Sequence, residues 1–151
     1  MAINDNAQSL AQECADAMWA TDRASQAMGI KVESVAPGKA IISMTVRPEM
    51  IGPGGVCGRG PIFLLADSAL AFAANTRGQR VVAQHCDIVF DNMVGVGEQL
   101  VADASERHSF ERKGVYDVRV QTRAGKVVAE LRGHSHTLED RLVERVRQSK
   151  P

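Results

Sequence analysis

The chain has 151 residues, 18 basic and 18 acidic side chains, and 44% apolar residues. That length supports one domain with a core large enough to fold without disulfide staples, and zero net charge leaves no electrostatic footprint for nucleic acid or an anionic membrane surface. The chain carries 13 glycines and only six aromatics, Trp19, Tyr116, Phe63, Phe72, Phe90 and Phe110. The core must therefore be aliphatic, and glycines should mark turns or close backbone approaches.

Residues 6–27 place Leu10, Cys14, Ala17 and Met18 among polar residues at helical spacing, which predicts one amphipathic helix ending before Gly29. Residues 30–36 alternate apolar and polar, Pro37-Gly38 supplies a turn, and Ala40 to Val46 resumes the alternation: a β-hairpin. Residues 51–60, IGPGGVCGRG, hold five glycines and a proline and read as a loop. From Pro61 at a helix start, the run to Ala74 is apolar on every side, which predicts a buried helix. Four strand-like runs follow at 80–90, 98–110, 114–122 and 127–138, and residues 139–151 form a charged tail. The expected class is α+β in a single domain spanning 1–151, with an antiparallel sheet wrapped around one long central helix.

Cys14, Cys57 and Cys86 match neither a disulfide framework nor a metal pattern. The N-terminus lacks the apolar segment of a signal peptide, and no run approaches the ~18 apolar residues of a membrane span. A soluble cytoplasmic protein is the expectation.

Asp67 is the anomaly in the central helix, with Phe63, Leu64, Leu70 and Ala71 one turn away on either side. A desolvated carboxylate there gains basicity; the alternatives are a carboxylate turned to solvent at a notch in the sheet, or one capping a loop. The glycine loop running into the helix N-terminus offers unpaired N–H groups to an anion or oxyanion, or is simply a turn needing positive φ. Together the two suit acyl transfer to water. The four histidines fall on different elements, with only His134 and His136 close together, so no metal site is expected. Ser68 and Ser135 lie in no nucleophile elbow, and Cys57 and Cys86 read as small buried hydrophobes.

The segments CGRGPIFLLADSALAFAANT, AQHCDIVFDNMV, KGVYDVRVQ and LRGHSHTL, in that order, resemble the hotdog-fold acyl-CoA thioesterases of the phenylacetic-acid-degradation type over residues 28–138. The resemblance implies a hotdog fold and hydrolysis of an acyl-CoA thioester. Asp67 falls on the family's nucleophile or general base, and the amides of Arg59 and Gly60 fall on its oxyanion site. It implies CoA as part of the substrate, no metal or other cofactor, and homodimers or homotetramers with sites at subunit boundaries. Gly52, Gly58, Phe63 and Ser68 are expected to border the substrate. The chain departs from the family's His-Gly-Gly triplet, reading Gly58-Arg59-Gly60, and has Gly52 where an Asn or Gln often stands. Arg59 is then either free to meet a CoA phosphate or a substrate carboxylate, or simply an exposed loop arginine, the more common outcome for such a residue. Two rival readings are a non-catalytic acyl-CoA-binding protein, motivated by the altered triplet, and a hydratase or dehydratase. The latter pairs an Asp with a His about five residues later, where this chain has Phe72.

Overall fold

The computed structural model describes residues 2–143, with side chains from Asp5 onward. Helices α1 (Ala2–Trp19) and α2 (Arg23–Ala27) precede the hairpin β1 (Lys31–Ala36) and β2 (Lys39–Thr45). The central helix α3 (Arg59–Ala74) follows, and then β3 (Gln79–Phe90), β4 (Gln99–Phe110), β5 (Lys113–Thr122) and β6 (Val127–Arg141). All strands join one antiparallel sheet in the order β1-β2-β4-β5-β6-β3. The sheet curls around α3, which is the α+β hotdog arrangement expected from the sequence.

The expected single N-terminal helix is instead two. Asp22 accepts hydrogen bonds from the Ser25 N–H (3.0 Å) and Ser25 Oγ (2.7 Å), so a side-chain cap starts α2 where the chain breaks after Trp19. The central helix begins at Arg59, two residues before the expected Pro61. Proline still sits in the first turn, where a missing N–H costs nothing. The first residues of the expected charged tail belong to β6, because Gln79 pairs with Arg141 and the Leu142 N–H reaches the Gly78 carbonyl. The rest of that tail, 144–151, lies outside the described residues.

The core is aliphatic. Leu65, Ala66, Ala69, Leu70, Phe72 and Ala73 of α3 are at most 1% exposed and meet Ile42, Leu100, Val118 and Val128 from the sheet. Burying a side chain such as Phe72 contributes about 1.5–3 kcal/mol. The alanines and Gly133 let helix and sheet approach closely: a Cβ at Gly133 would lie 1.9 Å from Leu70 Cδ1. Gly38, at φ +72°, makes the hairpin turn.

The helix is not buried all round, contrary to its composition. Gly60 and Phe63 (37% exposed) stay open, while Leu64, Asp67 and Ala71 are half-buried. Spacings of three and four residues put these five on one face of α3. The long edge strand β3 is likewise uncovered along most of its length.

Candidate active site

The loop before α3 is held from both sides. Ile51 bridges Cys57, the Gly58 N–H donates to the Met50 carbonyl (2.8 Å), and the Cys57 N–H donates to the Val94 carbonyl (2.8 Å). Gly58 is the N-cap residue, with no side-chain cap, so the Arg59 and Gly60 N–H groups at the helix start have no acceptor among the described residues. Pro61 has no N–H. Two amides and the positive end of the helix dipole thus converge on one point. A Cβ at Gly60 would meet nothing within 4 Å, so this chain's own packing does not require the glycine. It leaves the helix start open to an approaching group.

A cleft of about 290 Å³ lies beside the loop, lined on one side by Gly52, Gly58 and Arg59 and on the other by Phe90, Asn92 and Met93. The Arg59 guanidinium sits 5.3 Å from the Phe90 ring centre. The sequence did not reveal the far wall. It comes from the end of β3, about thirty residues downstream, and enters through strand pairing, which leaves no local signal.

Asp67 lies on the open face of α3, and burial pushes its carboxyl pKa above the ordinary aspartate value. Other displaced carboxylates move the opposite way: Arg123 holds Glu33 low, and Arg132 with Arg107 holds Asp117 low. Among the described residues Asp67 has no cation beside it. Cys86 on β3 is its neighbour: burial, then the charges of Asp67 and Asp87, push that thiol up. Half-exposed, Cys86 borders the carboxylate and is not the fully buried hydrophobe expected.

The remaining expected residues divide. Phe63 shares the open face with Asp67. Ser68 is 8% exposed and its hydroxyl is 3.1 Å from Ser25 Oγ, tying α2 to α3 on the inner side. All four histidines, read as scattered, border one groove on the outer sheet face, where His85 and His134 stack edge to face at 5.6 Å. Strand register gathers them, yet among the described residues no three His, Cys, Asp or Glu side chains converge as metal ligands. A hollow of about 550 Å³ lies over Arg107, Asp117, Arg119, Glu130 and Arg132, which already pair with one another. Chemistry falls to the smaller cleft and the open face of α3.

One length is decisive for that chemistry. Eight residues separate Arg59 from Asp67, about 12 Å along the axis at 1.5 Å per residue. A carbonyl oxygen held by the Arg59 amide cannot also place its carbon against Asp67 of the same chain.

No protein-family model matches the chain. It is 38% identical over 124 residues to the acyl-coenzyme A thioesterase PaaI of Escherichia coli K12, covering 82% of this chain and 89% of that one. The solved structure of the E. coli PaaI protein, from a phenylacetic acid degradation operon, superposes with a TM-score of 0.87 at 36% identity, over 89% of this chain and 97% of that one. A mutant of the phenylacetic acid degradation protein PaaI of Thermus thermophilus superposes with a TM-score of 0.75 at 36% identity, over 78% of this chain and 100% of that one. Among the described residues, no helix is long and apolar enough to cross a membrane.

Proposed function

Because the chain belongs to the PaaI-type acyl-CoA thioesterases, hotdog-fold enzymes that hydrolyse acyl-CoA thioesters, we propose that each of its active sites is built from two copies. One contributes the loop and helix start; the other contributes Asp67. The observation that carries this reading is the 12 Å offset between two features that each have no partner among the described residues. A second copy resolves it. If two α3 helices run antiparallel about a twofold axis near Phe63, residue 59 of each lies opposite residue 67 of the other, since 63 is their midpoint. Phe63 and Leu64 then cover each other on the axis. The uncovered β3 edge supports the same contact, because an exposed edge strand of twelve residues invites pairing with its own copy.

In that dimer the thioester carbonyl oxygen accepts hydrogen bonds from the Arg59 and Gly60 N–H groups, which stabilise the negative charge that develops there. Both donors are backbone, so the altered Gly58-Arg59-Gly60 triplet retains them. Asp67 of the partner subunit either takes the proton of a water whose oxygen bonds to the carbonyl carbon, or attacks that carbon itself to form an anhydride that water then cleaves. In both the C–S bond breaks, CoA leaves as its thiolate and the free acid is released. The raised pKa suits a carboxylate serving as base, and activity should fall with acidification at a pH above the ordinary aspartate range. The chain binds acyl-CoA as substrate and needs no metal for these steps. The relatives' part in phenylacetic acid degradation supports the same metabolic setting.

The test has two parts, both read as thiol released from a panel of acyl-CoA thioesters. Asp67→Asn should lose at least ~100-fold in kcat, the scale of a lost acid–base group. Asp67→Asn and Gly60→Val, each impaired alone, should then be co-refolded. With sites shared across a twofold interface, half the dimers are mixed and each regains one intact site, restoring about a quarter of wild-type activity. No recovery on mixing would place both halves of the site in one chain. Full activity in Asp67→Asn would remove the carboxylate from the mechanism.

A further inference from the structure

Arg59 breaks a local rule. A cation at a helix N-terminus faces the positive end of the dipole and is unfavourable there. Eight arginines, at 47, 77, 80, 107, 112, 119, 123 and 132, are each in an ion pair, while Arg23 on α2 is exposed and, among the described residues, in none. Arg59 has none among the described residues, and its guanidinium is held over the Phe90 ring instead. Asp91 borders the same cleft without pairing with it. The chain therefore keeps an unneutralised, positioned guanidinium at the mouth of a cleft whose other wall carries Phe90, beside the two amides of the oxyanion site.

We propose that Arg59 is a specificity-determining residue that selects acyl-CoA thioesters whose acyl group ends in a carboxylate. The inference rests on the site assignment above, with the thioester carbonyl on the Arg59 and Gly60 amides. Length decides between the two anions that an acyl-CoA offers. An extended chain advances about 1.2 Å per bond, so five bonds put the guanidinium carbon roughly 6 Å from the Arg59 Cα. The CoA pyrophosphate is thirteen bonds from the thioester sulfur, about 16 Å when extended, so it meets the guanidinium only if the pantetheine arm folds back on itself. A second carboxylate three to five bonds from the thioester carbon, about 4–6 Å away, lies within the guanidinium's reach. That range describes acyl groups of four to six carbons. The planar guanidinium fork matches a carboxylate with two parallel hydrogen bonds, and the Phe90 face holds the fork's plane without consuming its donors.

Turnover of glutaryl-CoA and of its neutral counterpart valeryl-CoA should be compared for the wild type, Arg59→Gln and Arg59→Lys. The readout is the ratio of the two kcat/KM values, so any loss common to both substrates cancels. The wild type should favour glutaryl-CoA, Arg59→Gln should lower the ratio at least 10-fold through KM, and Arg59→Lys should fall between them. A wild-type ratio near one, or a ratio unchanged in Arg59→Gln, overturns the proposal. So does an equal loss on both substrates, which would make Arg59 a general CoA contact. Failure of the site assignment is separately visible, because it shows as full activity of Gly60→Val, the variant that crowds the amide site, while the ratio is still measured on the wild-type enzyme.

Discussion

The two ends of helix α3 are built on opposite principles. At the C-terminal end nearly every polar group is paired. Asn75 Nδ2 donates to the Ala71 and Val81 carbonyls at 2.9 and 3.0 Å, and its Oδ1 accepts the Val81 N–H at 2.8 Å. Thr76 Oγ1 donates to the Ala73 carbonyl and accepts the Gly38 N–H. Arg77 clamps Glu106 with two bonds, and the Tyr116 hydroxyl donates to the same carboxylate at 2.7 Å. At the N-terminal end there is no side-chain cap, a cation faces the dipole, and among the described residues two amides have no acceptor and, two turns further on, a carboxylate has no cation. Paired groups at one end fix where the helix lies in the sheet. Groups at the other end that have no partner among the described residues leave bonding capacity for a substrate.

That contrast separates stability from activity, and three variants test the separation. Asn75→Ala removes three hydrogen bonds from a side chain that is 4% exposed. It should cost about 3 kcal/mol at roughly 1 kcal/mol per bond, and lower Tm by roughly 10 °C, while kcat per folded molecule stays near wild type. A large loss of kcat in molecules still folded would show that the paired end serves catalysis. Gly60→Ala should do the reverse. The added methyl meets nothing in its own chain, so stability measured by urea titration should stay within about 1 kcal/mol of wild type. Turnover should fall by ~10-fold or more as the methyl crowds the carbonyl site.

The smallest effect concerns Asp67→Asn and stability rather than rate. The folded state raises the Asp67 pKa, so it holds that proton more tightly than the unfolded chain does. The group therefore favours folding at pH below its ordinary value of 3.8, and this contribution is lost as pH rises through the raised value. At neutral pH the ionised, desolvated carboxylate works against folding. Replacing it with a neutral isostere should raise Tm at pH 7, and the gain should vanish near pH 4. Calorimetry at both values checks this, and a Tm gain equal at the two would point to packing instead of ionisation.

Alternation, turn residues and an apolar run were enough to read the α+β class, the hairpin and the strand boundaries to within a few residues, because these depend on neighbours in the chain. Asp67 and the loop from Gly52 to Gly60 were legible for the same reason: a carboxylate in an apolar helix and five glycines before it are local anomalies. The break at Asp22 was missed because one side-chain cap outweighs a continuing helical pattern.

The neutral, glycine-rich, aromatic-poor sequence thus determined a helix-and-sheet domain and the residue types at its site. Tertiary structure decided the rest. Curling of the sheet chose which stripe of a uniformly apolar helix stays open, strand register brought Phe90 against Arg59 and gathered the four histidines, and close packing of Leu70 on Gly133 fixed the height of the helix. Apart from Arg59 and Asp67, apolar and small residues run all round α3, so its composition carries little information about which side faces the sheet. That choice depends on contacts between residues far apart in the chain, and it is what leaves Asp67 and the helix start on the open face instead of in the core.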